Sequence, residues 1–277
     1  MSRSALPCKS SCCGSQTRAP KATKSLPSAG VPKKNFMPKK ILFTADDLGL
    51  DESTNLAIER AHRDGVLTGA SFMLGQPGEA HALEIIRRNP GLEIGWHFHA
   101  CDSRPLTRAD WPWGKSAAHA GVALAVSFAA RELIRRELRA QWEKFVAANV
   151  PCRFLNGHHH LHIHPFIARE MRRVVPTIFT GWVRGFGVRF FSIEPAGRPA
   201  MPLLRRGAAH WLKIWPKEKL TDSLWGLDRT FRMEAGEVAR VFPTLTDGTH
   251  EFIFHPRREG DADLRALLEL KKFPSMP

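Results

Sequence analysis

Tyrosine is absent from this 277-residue sequence, and cysteine is scarce, with five residues in all. Three cysteines fall within the first 13 positions, and the other two, Cys101 and Cys152, form no Cys-x-x-Cys pair. This usage excludes a disulfide-stapled secreted domain and favours a reducing compartment. No apolar run reaches the roughly 20 residues that a membrane-spanning helix requires. The nearest run, 117–130, is interrupted by His119 and Ser127. We therefore expect a cytoplasmic protein, with peripheral contact to the inner membrane as an open alternative.

Acidic residues are absent from the first 40 positions, which carry nine Lys or Arg, seven Ser and five Pro. Such a segment has too few apolar side chains to offset the entropy cost of ordering it, so we expect residues 1–38 to form a disordered basic tail. Met37 is an alternative natural start. Without residues 1–40, the net charge of +14 falls to 32 basic minus 27 acidic side chains, or +5. This mild charge, without an interleaved aromatic and basic stripe, argues against nucleic-acid binding.

Strand and helix patterns alternate along residues 39–277, which we interpret as a single domain. Short apolar runs bounded by polar or breaker residues predict strands, and amphipathic runs between them predict helices. This alternation implies right-handed βαβ units and a parallel sheet. The predicted strands are 41–45, 68–74, 92–98, 153–156, 181–186 and 252–254, and the predicted helices are 53–63 (capped by Ser53 or Thr54), 77–88, 117–149, one from 165, 202–213 and 234–242.

Candidate catalytic groups come at the ends of four predicted strands. Asp46 and Asp47 follow the first strand, and His97 lies near the end of the third. His158 follows the fourth strand, and His255 follows the last one. Because the carboxyl ends of parallel strands converge at one mouth, we expect these side chains to share a pocket. Each residue alone has a simpler interpretation, since a carboxylate pair can cap a helix and a single His is often a hydrogen-bonded core residue.

Histidine is concentrated in the segment Asn156–Pro165, where five His fall within seven positions. Neutral imidazole is the commonest protein ligand for transition metals, so this tract predicts a catalytic metal site. The alternative is a surface tract with adventitious metal affinity. A second pair, His97 and His99, shares one face of the third strand. In an extended conformation, one face of the tract would carry His158, His160, His162 and His164.

Taken together, these motifs resemble the YdjC/ChbG-type carbohydrate deacetylases, most closely the subgroup associated with hopanoid biosynthesis (HpnK-like). The resemblance covers about residues 40–270 and departs from the family at Asn156-Gly157, where the family usually has Asp-Ser. The motifs that carry it, in order, are Ala45-Asp46-Asp47-Leu48-Gly49-Leu50, Asn55, Gly65-Val66-Leu67-Thr68, Gly95-Trp96-His97, Gly157-His158-His159-His160-Leu161-His162 and Phe254-His255-Pro256.

The resemblance implies an α/β fold, a distorted TIM-like (β/α) barrel with one divalent metal ion, Mg²⁺ or Zn²⁺, at its mouth. Carried over to this sequence, it makes Asp47, His97 and His158 the metal ligands. It makes Asp46 the general base and His255 the general acid. The implied reaction is hydrolysis of the N-acetyl group of an N-acetylglucosamine-type amino sugar. The implied substrate is a hopanoid glycolipid, with soluble chito-oligosaccharides as the alternative.

Two other classes stay open on the residues alone. A non-haem Fe(II) oxygenase also uses two His and one carboxylate, although its ligands usually run His-x-Asp and then a distant His on an all-β fold. A His-rich metal-binding protein without enzymatic activity would bind several ions per chain. Aromatic and basic residues expected near the mouth would serve either as sugar contacts or as loop packing, namely Trp96, Trp111, Trp113 and Arg104.

Overall fold

The computed structural model describes residues 39–191 and 201–273, with the side chains of 201–204 left out. The predicted tail, residues 1–38, lies outside the described residues, as does the alternative start at Met37.

Eight parallel strands form one curled sheet in the described part of the chain, in the order β5-β4-β3-β2-β1-β8-β7-β6. The strands are β1 (Lys40–Leu48), β2 (Gly69–Phe72), β3 (Glu93–Phe98), β4 (Phe154–Gly157), β5 (Trp182–Val183), β6 (Val188–Arg189), β7 (Ser223–Trp225) and β8 (Thr249–Phe254). The helices are α1 (Glu52–Asp64), α2 (Glu79–Arg88), α3 (Ala117–Val126), α4 (Phe128–Ala147), α5 (Pro165–Val174), α6 (Met201–Trp211), α7 (Ala235–Val241) and α8 (Ala262–Leu270).

The two edge strands, β5 and β6, are only two residues long each. Between them lies the segment that leads into β7, where Leu220 forms a parallel bridge with Val183. The Thr221 hydroxyl accepts a hydrogen bond of 2.8 Å from the backbone N–H of Gly185. The sheet is therefore a half-barrel, and the predicted (β/α) barrel class is confirmed.

Strands β1 and β8 lie at the centre of the sheet and separate two environments. Phe43 of β1 packs against the rings of Phe252 and Phe254 of β8, with ring centroids 5.6 and 6.3 Å apart. Because successive side chains alternate between the two faces of a strand, the chain neighbours of these aromatics point the other way. Thr44 of β1 and Glu251 of β8 meet there through a hydrogen bond of 2.8 Å. One face is thus apolar core, and the other carries polar groups.

The helix predicted over 117–149 is wrong as a single element, because α3 and α4 meet at a bend of 115°. Ser127 separates them with an extended backbone, and its hydroxyl accepts a hydrogen bond of 3.2 Å from the N–H of Ala130. A Ser that caps a helix inside a continuous helical pattern starts a new helix. In the described residues no single helix is long and apolar enough to cross a membrane, and the α3–α4 pair meets that test only when both members are joined across the bend.

Other predicted bounds shift for local reasons. Helix α1 is capped by Asp51, whose carboxylate accepts from the N–H of Thr54, rather than by Ser53 or Thr54. The predicted strand 181–186 is wrong as one element, since it holds β5 and a connection to β6. Strands β6 and β7 have two and three residues, too few to produce a periodic pattern.

Gly95 of β3 is expected to be sensitive to substitution, because a methyl group there would overlap the ring of Phe154. That ring cannot move away easily, since it stacks on Trp182 with centroids 4.3 Å apart. We expect Gly95→Ala to lower the free energy of unfolding by about 1–3 kcal/mol, as overpacking does. The measurement is the denaturant midpoint. As a control, Gly236→Ala in α7 meets no atom within 4 Å and should stabilise by about 0.5–1 kcal/mol. A Gly95→Ala midpoint equal to that of the wild type would contradict the prediction.

Candidate active site

Two adjacent carboxylates reach the same pocket because β1 is irregular at its carboxyl end. Consecutive side chains of a regular strand point in opposite directions. Here the register between β1 and β2 shifts between Ala45 and Leu48, and Asp47 has a left-handed φ of 72°. A bulge of this kind re-aims a side chain. Asp46 and Asp47 are 3% and 1% exposed, so both carboxylates are buried.

Asp47, His97 and His158 come together, with ligand atoms that all lie within 4.8 Å of one another. Asp47 Oδ1 lies 2.9 Å from His158 Nδ1 and 3.3 Å from His97 Nε2. Neither contact has hydrogen-bond geometry, so Asp47 Oδ1 and His97 Nε2 are buried without a hydrogen-bond partner in the described residues. Buried polar atoms are normally paired. One carboxylate and two imidazoles whose ligand atoms converge in this way fit a divalent cation.

The ring of His97 is held in the orientation that a metal ligand needs. Its Nδ1 lies 2.6 Å from Asn156 Oδ1. The amide nitrogen of Asn156 donates to Asp46 Oδ1 at 3.2 Å, so the amide oxygen is the acceptor and His97 Nδ1 carries the proton. In the neutral ring this leaves Nε2 as the nitrogen with a free lone pair, and Nε2 faces Asp47. A metal-binding His typically donates its other ring N–H in this way, which fixes its tautomer.

Asp46 is fixed by a buried arginine that follows β5. Arg184 donates from Nη1 to Asp46 Oδ2 at 2.6 Å and from Nη2 to Asp46 Oδ1 at 2.8 Å, and Ser71 donates to Oδ1 at 2.7 Å. Burial raises the pKa of Asp46, but the charge of Arg184, with smaller effects from His97 and His255, brings the pKa well below its ordinary value. Asp46 is therefore an ionised carboxylate held in one orientation.

A second carboxylate shares the same guanidinium. Glu251 Oε1 accepts from Arg184 Nε at 3.0 Å and from Nη2 at 2.7 Å. Burial raises the pKa of Glu251, and Arg184 offsets part of that rise. Burial lowers the pKa of Arg184, but Asp46 and Glu251 outweigh it and raise the pKa above its ordinary value. The bidentate contact with Asp46 uses the planar fork that distinguishes arginine from lysine.

His255 lies on the other side of Asp46, with its Nε2 3.7 Å from Asp46 Oδ2. Its backbone N–H donates to Asp263 Oδ2 at 2.7 Å, which ties the end of β8 to α8. Burial lowers the pKa of His255 more than the neighbouring carboxylates raise it, so its pKa is below the ordinary value. The ring is thus neutral at neutral pH and stands beside an ionised carboxylate.

Arg257 is bonded to the second carboxylate oxygen of Asp47, the candidate metal ligand. Its Nη2 donates to Asp47 Oδ2 at 2.9 Å. The contact leaves Oδ1 as the oxygen that faces His97 and His158. Burial raises the pKa of Asp47, but His158 and His97 lower it well below the ordinary value. Burial lowers the pKa of His158, and Asp47 reverses that effect and raises it.

The histidine tract is not extended, so the condition for a shared face of four His is not met. His158–Ile163 forms a 3₁₀ turn in which His159 and His160 have left-handed φ values of 49° and 56°. The imidazoles consequently point to different surroundings. His162 Nε2 donates to the carbonyl of Arg184 at 3.2 Å, and His164 accepts from the first turn of α5. Of the tract, only His158 lies in the buried candidate metal set.

A second group, Asp102, His158 and His159, also has ligand atoms within 4.8 Å of one another. Asp102 and His159 are both more than a third exposed at the side chain, and Lys115 lies 3.5 Å from Asp102. The competing ammonium and the exposure make this group a weaker cation site than the fully buried one.

The three tryptophans expected near the mouth are packing residues. Trp111 and Trp113 are mostly buried, and their indole N–H groups donate to Ser103 Oγ and to the carbonyl of Ala100. Trp96 is fully buried against Trp142. Trp111 and Trp113 hold the loop between β3 and α3 in place. Arg104 is exposed, and its backbone is bonded to Gln76. His99 is a hydrogen-bonded core residue, since its ring contacts the carbonyl of Leu74 at 2.9 Å.

Sequence reasoning missed Arg184, Glu251 and Arg257 as parts of the site. A usable signal exists for the first two, because each is a charged residue within or next to an otherwise apolar strand segment. Charged residues are almost never fully buried unless they are paired. The partner of each could not be read from sequence, because Arg184 pairs with groups 138 and 67 positions away.

Removal of any one ligand is expected to abolish tight metal binding. We expect Asp47→Ala, His97→Ala and His158→Ala each to lose the bound divalent ion, because two side chains with an open pocket hold it poorly. His159→Ala, which removes a neighbouring imidazole outside the buried set, is the matched control. Elemental analysis and calorimetric titration with Zn²⁺ measure the result. Stoichiometric binding by the three variants, or its loss in the control, would place the ion elsewhere.

The chain is similar in sequence to carbohydrate deacetylases and similar in fold to a solved structure. The chain is 34% identical over 143 residues to a carbohydrate deacetylase of Vibrio campbellii and 37% identical over 131 residues to one of Brevibacillus brevis. These matches cover 49% and 46% of this chain, and the chain spans about half the length of the curated relatives, 55% and 52%. A solved structure from Enterococcus faecalis, assigned a proposed cellobiose-phosphate cleavage role, has a similar fold, with a TM-score of 0.57, 15% identity and coverage of 86% of this chain and 92% of that one. The family profile of the YdjC-like proteins matches residues 40–271, and the chain belongs to that family.

Proposed function

We propose that this protein is a metal-dependent N-deacetylase that hydrolyses the N-acetyl group of an N-acetylglucosamine-type amino sugar. The observation that carries the proposal is the placement of a carboxylate and a neutral imidazole, Asp46 and His255, beside the convergent set of Asp47, His97 and His158. The curated relatives are carbohydrate deacetylases, which supports the substrate class. A divalent ion at such a site lowers the pKa of water and polarises a carbonyl.

The donor set favours Zn²⁺ or a related transition metal over Mg²⁺. Two of the three ligands, His97 and His158, are imidazoles, and Mg²⁺ prefers oxygen ligands. The same set would also suit the iron of an oxygenase. The parallel half-barrel differs from the all-β fold expected for such an oxygenase, and the Asp46–His255 pair supplies groups for proton transfer, which hydrolysis needs.

In the proposed reaction a proton moves between two neighbouring side chains, Asp46 and His255. Arg184 keeps Asp46 ionised. The carboxylate can therefore accept a proton from the attacking water while the water oxygen forms a bond to the acetyl carbon. His255 Nε2 is 3.7 Å from Asp46 Oδ2 and is neutral before the reaction. The same proton can therefore pass to His255 and then to the amine nitrogen as the C–N bond breaks. The products are acetate and a free amino sugar.

Loss of either proton-transfer group should reduce turnover without loss of metal. We expect Asp46→Asn and His255→Ala to release acetate from methyl N-acetyl-β-glucosaminide about 10²–10⁴-fold more slowly than the wild type, the usual contribution of general acid–base steps. Metal content should be unchanged. Chelation should abolish wild-type activity, and added Zn²⁺ should restore it. Asp102→Asn, at the pocket rim, serves as the control. Full activity in both site variants would overturn the assigned roles.

We further propose that the sugar is carried by a lipid of the hopanoid type and that the protein works at the cytoplasmic face of the inner membrane. Supporting this is an apolar lip formed by Val122, Val126 and Phe128, which are 62%, 79% and 73% exposed. Helix α3 packs against the 3₁₀ turn that begins with His158, so the lip belongs to an element that neighbours the turn carrying one candidate ligand. Contiguous exposed apolar side chains typically mark a surface that binds an apolar partner.

A comparison of a lipid-linked and a soluble substrate distinguishes a role of the lip in lipid binding from a role in the hydrolysis step. We expect the double variant Val126→Ser/Phe128→Ser to lower kcat/KM for a detergent-dispersed N-acetylglucosaminyl lipid by about tenfold or more, since each side chain contributes roughly 1 kcal/mol or more of apolar burial. Its kcat/KM for methyl N-acetyl-β-glucosaminide should not change. Ile178→Ser, at a side chain that is 87% exposed before β5, is the matched control. Equal values for wild type and variant on the lipid would favour soluble chito-oligosaccharides instead.

A further inference from the structure

Phe231 combines exposure with an unfavourable backbone conformation. Its side chain is 54% exposed, and its φ is +64°. In residues 39–191 and 201–273, Phe128 of the lip is the only other aromatic side chain of comparable exposure. A left-handed φ is a rare outlier for a bulky residue. Such strain persists only where the surrounding structure enforces it, and it is concentrated at functional sites.

The loop that carries Phe231 is held firmly, so the exposed ring has a defined position. Asp263 of α8 accepts from the backbone N–H of Met233 at 2.9 Å and from that of His255 at 2.7 Å. One carboxylate therefore ties the loop to the candidate general acid. Arg229 of the same loop forms two hydrogen bonds of 2.8 Å with the carboxylate of Glu237 in α7.

The Phe231 ring lies between the two functional side chains that follow β8. It meets the His255 ring edge-on, with centroids 5.4 Å apart. The guanidinium carbon of Arg257 lies 5.2 Å from the ring centroid, and Arg257 also bonds to Asp47. Arg257 thus links the Phe231 ring to the carboxylate of Asp47, a candidate metal ligand. An aromatic surface is consequently fixed beside the groups assigned to bond cleavage.

We propose that Phe231 is the sugar-contacting residue that selects pyranose substrates, with Arg257 holding its ring in place. A pyranose presents a face of C–H groups that packs on an aromatic ring, while its acetamido group extends from the ring edge. Phe231 stands where that face would lie when the amide reaches His255. Acyclic N-acetyl compounds have no such face and gain nothing from the contact. This inference rests on the proposed deacetylase function.

The test compares a cyclic and an acyclic amide. We expect Phe231→Asn to raise KM for methyl N-acetyl-β-glucosaminide about tenfold, equivalent to loss of one well-packed aromatic contact, with kcat within about twofold of the wild type. Its kcat/KM for N-acetylethanolamine should not change, and Phe231→Trp should keep the low KM. Asn tolerates a left-handed φ, so this variant should retain the wild-type melting temperature. An equal fall in kcat on both substrates would show that Phe231 only positions His255 and would overturn the proposal.

A binding measurement separates this inference from the proposed function. NMR titration of metal-free wild type and Phe231→Asn with methyl N-acetyl-β-glucosaminide reports sugar contact without turnover. If the wild type binds the sugar through Phe231 but its Zn²⁺-loaded form releases no acetate, the deacetylase proposal fails and the sugar contact stands. If the wild type releases acetate while Phe231→Asn has the same KM and Kd, the sugar contact is wrong and the deacetylase proposal stands.

Discussion

The bidentate contact between Arg184 and Asp46 is the interaction on which the site depends. Arg184 follows β5 at one edge of the sheet, whereas Asp46 lies on β1, four strands away in the sheet order. The contact therefore crosses the interior of the half-barrel and joins an edge strand to a central strand. Arg184, Asp46 and Glu251 of β8 are all buried, so the charge on each side chain is stabilised by the other two. Removing one partner of such a cluster typically costs about 3–5 kcal/mol, because an uncompensated charge remains in the interior. Glu251, which lies on β8, is the third charged member of this cluster.

Backbone strain is concentrated around the same pocket. Asp47, His159, His160 and Phe231 all have left-handed φ values, in a region that side chains other than glycine seldom adopt. Asp47 is a candidate ligand, His159 and His160 follow the candidate ligand His158 in the chain, and Phe231 contacts the ring of His255. The buried strands β1, β3 and β8 provide the rigid surroundings that can keep such conformations. The conformation of Asp47 has a direct result, because it lets two consecutive carboxylates face one pocket.

Convergence of the candidate residues could be predicted from sequence, because it follows from a general rule for parallel sheets. Asp46, Asp47, His97, His158 and His255 each come at a strand end, and the topology brings all such ends to one mouth. The pairing of Arg184 with Asp46 and Glu251 could not be predicted, since it depends on the curl of the whole sheet. Local conformation also limited the prediction. The histidine tract forms a turn with left-handed residues, and the helical pattern breaks at Ser127. Both features depend on local hydrogen bonds, which the spacing of apolar residues in the sequence does not reveal.

Asn156 joins the two halves of the site in a way that only an amide permits. Its oxygen accepts from His97 Nδ1, and its nitrogen donates to Asp46 Oδ1. The aspartate expected from the family pattern could accept from His97, but it has no N–H to donate and would bring a second negative charge beside Asp46. Like charges in close contact raise a carboxyl pKa, so that residue would oppose the effect of Arg184. With Asn156, one neutral side chain sets the tautomer of a candidate metal ligand and the orientation of the candidate base, which makes ligand geometry and proton acceptance parts of the same hydrogen-bond network.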